Sequence, residues 1–73
     1  MKYSKISNDK YLVIANNNKI AGTLYKLETA TRTVWDLYDN DDNYLGEGRS
    51  KNMAIENVSE KNDAFYQLVS ANA

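Results

Sequence analysis

Gly46-Glu47-Gly48-Arg49-Ser50-Lys51 is the stretch of this chain whose residue types best suit holding a ligand. Its two glycines stand between a strand-like run and a helix-like run. Ser50 is a natural N-cap, and Arg49 and Lys51 place cations beside the first helical turn. Backbone amides at a helix start, joined by cations, can receive an anion such as a phosphate. A tight turn followed by a cap accounts for the same residues. That plainer reading carries more weight, because helix starts need caps everywhere.

Other groupings also have chemistry to offer. Asp39, Asp41 and Asp42 crowd one segment and suggest calcium. An EF-hand loop counted from Asp39 would need Gly at its sixth place and Glu at its twelfth, and this chain has Tyr44 and Ser50 there. A solvated turn is the better reading, and no metal site is expected. Glu56 and Glu60 stand four apart on a helix face turned away from Val58, so they are solvated rather than an acid–base pair. Trp35, Tyr25, Tyr38 and Tyr44 can form a stacking platform for bases or a protein interface. They can equally form the core and half-buried sheet surface of a small domain. Trp35 is assigned to the core as the largest apolar side chain present.

Composition narrows the classes. There is no His and no Cys, which removes disulfides, thiolate metal sites and the usual Ser-His and Cys-His nucleophile pairs. No enzymatic activity and no cofactor are expected. Net charge is -1, with pI about 5.2, far from the basic value of a nucleic-acid domain. No apolar run approaches the ~18 residues that span a bilayer. The chain is therefore expected to be soluble, cytoplasmic and away from membranes. Its wealth of Asn, Lys, Tyr and Ile reflects AT-rich codons, a bias typical of small phage and mobile-element accessory genes.

The elements that must position these residues follow from pattern. Tyr11 to Ala15 is a short β-branched and aromatic run, closed by a turn at Asn16-Asn17-Asn18. Lys19 to Thr29 alternates, with Ala21, Thr23, Tyr25 and Leu27 on one face and Ile20, Leu24, Lys26 and Glu28 on the other. A turn near Thr29-Ala30-Thr31 leads to a third strand, Arg32 to Tyr38, and Asp39 to Asn43 is a loop. Tyr44-Leu45 briefly resumes pairing before the glycine corner. From Ser50 onward Ala54, Val58, Lys61, Phe65 and Leu68 recur at helical spacing, with Ile55 and Val69 alongside. The cap-like pair Asn62-Asp63 predicts a break near Lys61–Asp63. The tail from Ser70 to Ala73 is expected to fray.

The spacing Gly-x-Gly-x-Ser-Lys-x-x-Ala, following a meander, resembles the third strand and last helix of double-stranded-RNA-binding domains. It also resembles the arm-binding domain of lambda-type integrases, with their Gly-x-Gly-Arg corner and an Ala-Ile step, here Ala54-Ile55. The resemblance covers about residues 33 to 58 and implies a β-β-β-α fold and a nucleic-acid contact at Arg49, Ser50 and Lys51. Asn52 and Ile55 stand where the RNA-binding family places further lysines, and this chain lacks the strong positive charge of the integrase domain.

These observations predict one small α+β domain over residues 1–73, a three-stranded antiparallel meander packed on one C-terminal helix. The expected function is non-enzymatic binding: a small phage-type accessory protein that docks on a host or viral protein and modulates it. Arg32, Val34, Asp36 and Tyr38, on the open sheet face, are the interface candidates. An edge strand can alternatively pair with a second copy in a homodimer. The alternative function is a nucleic-acid module working through the Gly46–Lys51 corner and the outer sheet face.

Overall fold

The computed structural model describes residues 1–71. It is α+β, with an antiparallel sheet and C-terminal helices, as the patterns predict, but with five strands and two helices rather than three and one. The strands are β1 (Lys2–Ser7), β2 (Lys10–Ile14), β3 (Ile20–Glu28), β4 (Thr33–Tyr38) and β5 (Tyr44–Gly48), and they form a meander in chain order. The helices are α1 (Lys51–Lys61) and α2 (Asp63–Ser70). Of the tail expected to fray, Asn72 and Ala73 lie outside the described residues, and Ala71 follows α2 in extended backbone. Among the described residues no helix is long and apolar enough to cross a membrane.

Turn chemistry sets the registers. In the β2–β3 turn Asn18 takes a positive φ of 67°, the left-handed region that Asn tolerates, and Ala15 and Lys19 close it through a 2.8 Å backbone hydrogen bond. In the β3–β4 turn the Thr29 hydroxyl accepts from the Arg32 amide at 3.1 Å and donates to the Arg32 carbonyl at 3.0 Å. In the β4–β5 turn the Asp39 carboxylate accepts from the amides of Asp41 and Asn43, both at 2.9 Å, while Asp42 takes a φ of 64°. Hydrogen bonds from Asn43 and Asp41 hold the Asp39 carboxyl below the usual carboxylate range.

The helices cover one face of the sheet. Val13, Ala15, Ala21, Leu24, Trp35 and Leu37 from the strands meet Ala54, Ile55, Val58, Phe65 and Val69 from the helices in one core. Trp35 is 8% exposed, in line with its predicted place. Lys61 and Leu68 leave the predicted apolar stripe, and Leu68 is 39% exposed. Asn62 caps both helices. Its backbone is extended, its N–H donates to the Val58 carbonyl at 2.8 Å, and its Oδ1 accepts from the Phe65 amide at 3.0 Å. The break predicted near Lys61–Asp63 is therefore real, and Phe65 and Val69 of α2 lie in the core.

Candidate functional site

The glycine corner is more strand than corner. Gly46, Glu47 and Gly48 lie within β5, and only Arg49 and Ser50 join it to α1. A Cβ on Gly48 would stand 2.3 Å from the Ala54 amide nitrogen, and one on Gly46 would stand 2.8 Å from Cγ2 of Val58. Both glycines thus serve the close seating of α1 on β5. Ser50 does cap α1, its hydroxyl accepting from the Met53 amide at 3.1 Å. Lys51 turns to the aromatic rings. Its ammonium lies 4.1 Å from the Tyr11 ring centroid, 5.2 Å from Trp35 and 5.6 Å from Tyr3. That cation already has aromatic partners from three strands. Arg49 is exposed.

The outer face offers a different arrangement. Strand alternation and register align Lys10, Tyr25, Asp36 and Glu47 in one row across β2 to β5. Beside it runs a second row of Leu12, Thr23, Tyr38 and Tyr44. The Tyr25 and Tyr38 rings meet edge to face, with centroids 5.4 Å apart and planes at 88°. Tyr38 and Tyr44 do the same at 5.6 Å and 67°. Tyr25, Asp36, Tyr38 and Asp42 line a depression of about 390 Å³ on this face.

Asp36 and Glu47 face each other directly across β4 and β5. Partial burial, then the Glu47 charge, push the Asp36 carboxyl above its usual range. Desolvation, then Glu47 and Asp36, raise the Tyr44 hydroxyl. Lys10 stands at the far end of the row, its ammonium 5.6 Å from the Tyr25 ring centroid. The ion pair formed among the described residues, Lys26 with Glu28 at 2.8 Å, belongs to the other face, because Lys26 lies opposite Trp35.

The four predicted interface residues divide. Asp36 and Tyr38 stand in the site. Val34 shares their face but is 6% exposed, with Leu27 opposite it across β3 and β4. Arg32 lies in the preceding turn, where its backbone serves Thr29. Of the predicted stacking platform, Trp35 goes to the core, while Tyr25, Tyr38 and Tyr44 share the outer face. Two members went unforeseen: Glu47 and Asp42. No sequence signal marks Glu47: it lies three residues from Tyr44, a spacing that alternation assigns to opposite faces, and only the one-residue bulge between Tyr44 and Gly46 brings the two to one face. Asp42 reaches the site because its left-handed backbone completes the turn.

Comparison with protein-family models, with curated proteins and with solved structures found no match to this chain.

Proposed function

We propose that this chain is a non-enzymatic binding module, a small accessory protein that docks on a protein partner through the open face of its sheet. One observation carries the reading: three tyrosines pack edge to face on the side of the sheet opposite the helices. Tyrosine and other aromatics are enriched at protein interfaces, where rigid rings supply large contact area at low entropic cost. The mixed charges around them suit a protein surface better than a phosphate backbone, which the carboxylates of Asp36, Asp42 and Glu47 would repel.

The experiment compares cross-linked capture of partners from the cell of origin by the wild-type chain, by Tyr38→Ala and by the Arg49→Ala/Lys51→Ala double variant. All three are first checked by circular dichroism. Capture lost in Tyr38→Ala and kept in the double variant supports the reading. Capture kept in Tyr38→Ala overturns it. Salt-sensitive binding to short duplex DNA or RNA, lost in the double variant, would put the nucleic-acid module in its place. Dimerisation lost in Tyr38→Ala would make the partner a second copy of the chain.

A further inference from the structure

We propose that the depression between Tyr25, Asp36, Tyr38 and Asp42 receives an arginine side chain from a basic segment of the protein partner. This rests on the outer-face docking proposed above and names the chemistry of its occupant.

Three features of the face converge on a planar cation. First, Tyr25 and Tyr38 stand at 88° to each other, so their rings make two adjoining walls. Aromatic rings attract cations electrostatically, and Lys10 already lies 5.6 Å from the Tyr25 centroid. Second, Asp36 lines the depression within β4 and Asp42 lines it from the β4–β5 turn. A guanidinium can donate to two carboxylates at once while stacking on a ring, whereas an ammonium is a point charge. Third, the row across the sheet ends in two like charges. Asp36 and Glu47 are direct cross-strand neighbours, an arrangement that destabilises a sheet unless something neutralises it. The only lysine of that row stands two strands from Asp36, at the opposite end. A cation arriving from a partner supplies the missing charge where the row lacks it.

The volume agrees. About 390 Å³ has room for the end of one long side chain. The partner's main chain would therefore lie across the outer face with one arginine pointing in. The neighbouring Tyr44, 53% exposed, is then placed to cover the stem of that side chain.

The test titrates the intact, isotope-labelled chain with the tripeptide Gly-Arg-Gly, and with Gly-citrulline-Gly as a neutral isostere, to about 10 mM. Ring and amide resonances of Tyr25, Asp36, Tyr38 and Asp42 report the site. The expected result is a saturable response to the arginine peptide alone, weakened roughly two- to fivefold in Asp36→Asn. Asp42→Asn, which keeps a residue tolerant of the left-handed region, should weaken it likewise. Trp35 emission verifies that both variants stay folded. An equal response to citrulline, a response elsewhere, or none overturns the inference. If Tyr38→Ala abolishes partner capture while the arginine peptide gives no response, the inference fails and the outer-face reading stands. If Tyr38→Ala leaves capture intact, the outer-face reading fails, whatever the tripeptide does.

Discussion

Gly48→Ala should remove a large share of this protein's stability, although it adds a single methyl group. The Cβ would stand 2.3 Å from the Ala54 amide nitrogen, 2.6 Å from the Met53 carbonyl carbon and 2.8 Å from the Ala54 Cα. All three are backbone atoms, so no side-chain rotation relieves the clash. Ordinary contact begins near 3.4 Å, so α1 must retreat from β5 by about 1 Å. Ala54, Ile55 and Val58 are carried on that segment and lie in the core. Overpacking a close contact costs about 1–3 kcal/mol, and a clash with rigid backbone belongs at the upper end. A domain of this length has about 4–11 kcal/mol of stability in all. A loss near 3 kcal/mol lowers the melting temperature by about 12–24 °C.

The assay is thermal unfolding followed at 222 nm and by Trp35 fluorescence, with urea titration as a second measure. Gly46→Ala provides the internal comparison. Its added Cβ meets a side-chain methyl of Val58 at 2.8 Å and its φ of 159° disfavours any side chain, so Val58→Ala should relieve the contact but not the backbone strain. No side-chain truncation should rescue Gly48→Ala. A melting point for Gly48→Ala within about 5 °C of wild type would refute the close-approach argument. It would also reopen the reading of this loop as an amide-lined anion site.

Four further outcomes follow from the same geometry. Phe65→Ala, at a side chain 3% exposed, should cost about 3–5 kcal/mol and leave the chain marginal in urea unfolding. Asn62→Ala should cost about 1 kcal/mol by removing the cap of α2, with faster amide exchange at Phe65 as its signature. Lys51→Met should cost about 0.5–2 kcal/mol through lost cation–π contact, shift Trp35 emission, and leave partner capture unchanged. Asp36→Asn should stabilise the fold. The folded-state pKa of Asp36 is raised, so the native state holds its proton more tightly than the unfolded chain does. Its stabilising share is thus complete below the unfolded value and lost as pH rises through the folded one. At neutral pH the charged carboxyl subtracts from stability, and Asn should recover about 0.2–1 kcal/mol in urea titrations. That gain should fade as the pH falls through the carboxylate range. A gain that grows on acidification would contradict the assignment.

Local chemistry was legible in the sequence wherever one residue decides the outcome. The turn at Asn16-Asn17-Asn18, Ser50 as a cap and the helix break near Lys61–Asp63 depend on nothing beyond the next few residues. Trp35 was placed by size alone. The strand count was not legible, for two physical reasons. In β1 only Tyr3 is partly buried, so Lys2–Ser7 shows no hydrophobic alternation to read. β5 carries two glycines, which weaken strand propensity, and they are tolerated because α1 presses directly on them. Face assignment in β3 failed at one point for a third reason. The register shifts opposite Val13 and Ile14, so Ala21 is buried along with Leu24 although strict alternation puts them on opposite faces.

Net charge of -1 told little about partners, because the fold sorts the charges by face. Lys51 and Lys26 lie on the helix side, each against the Trp35 ring. Once β5 is a full strand, Glu47 lands opposite Asp36, and the β4–β5 turn brings Asp42 beside them. A three-stranded meander would have left Asp36 on an edge strand and Glu47 in a loop, with no opposition between them. The fifth strand therefore gives the outer face its acidic end, and the same strand requires the glycines that admit α1. Loss of α1 docking in Gly48→Ala should accordingly weaken the tyrosine face as well. β5 would lose the packing that holds it, and Glu47 with it, beside Asp36. The response of Tyr38 and Tyr44 ring resonances to Gly48→Ala measures that coupling. Unchanged rings in a chain whose α1 has lifted would show that β4 and β5 hold their register without the helix.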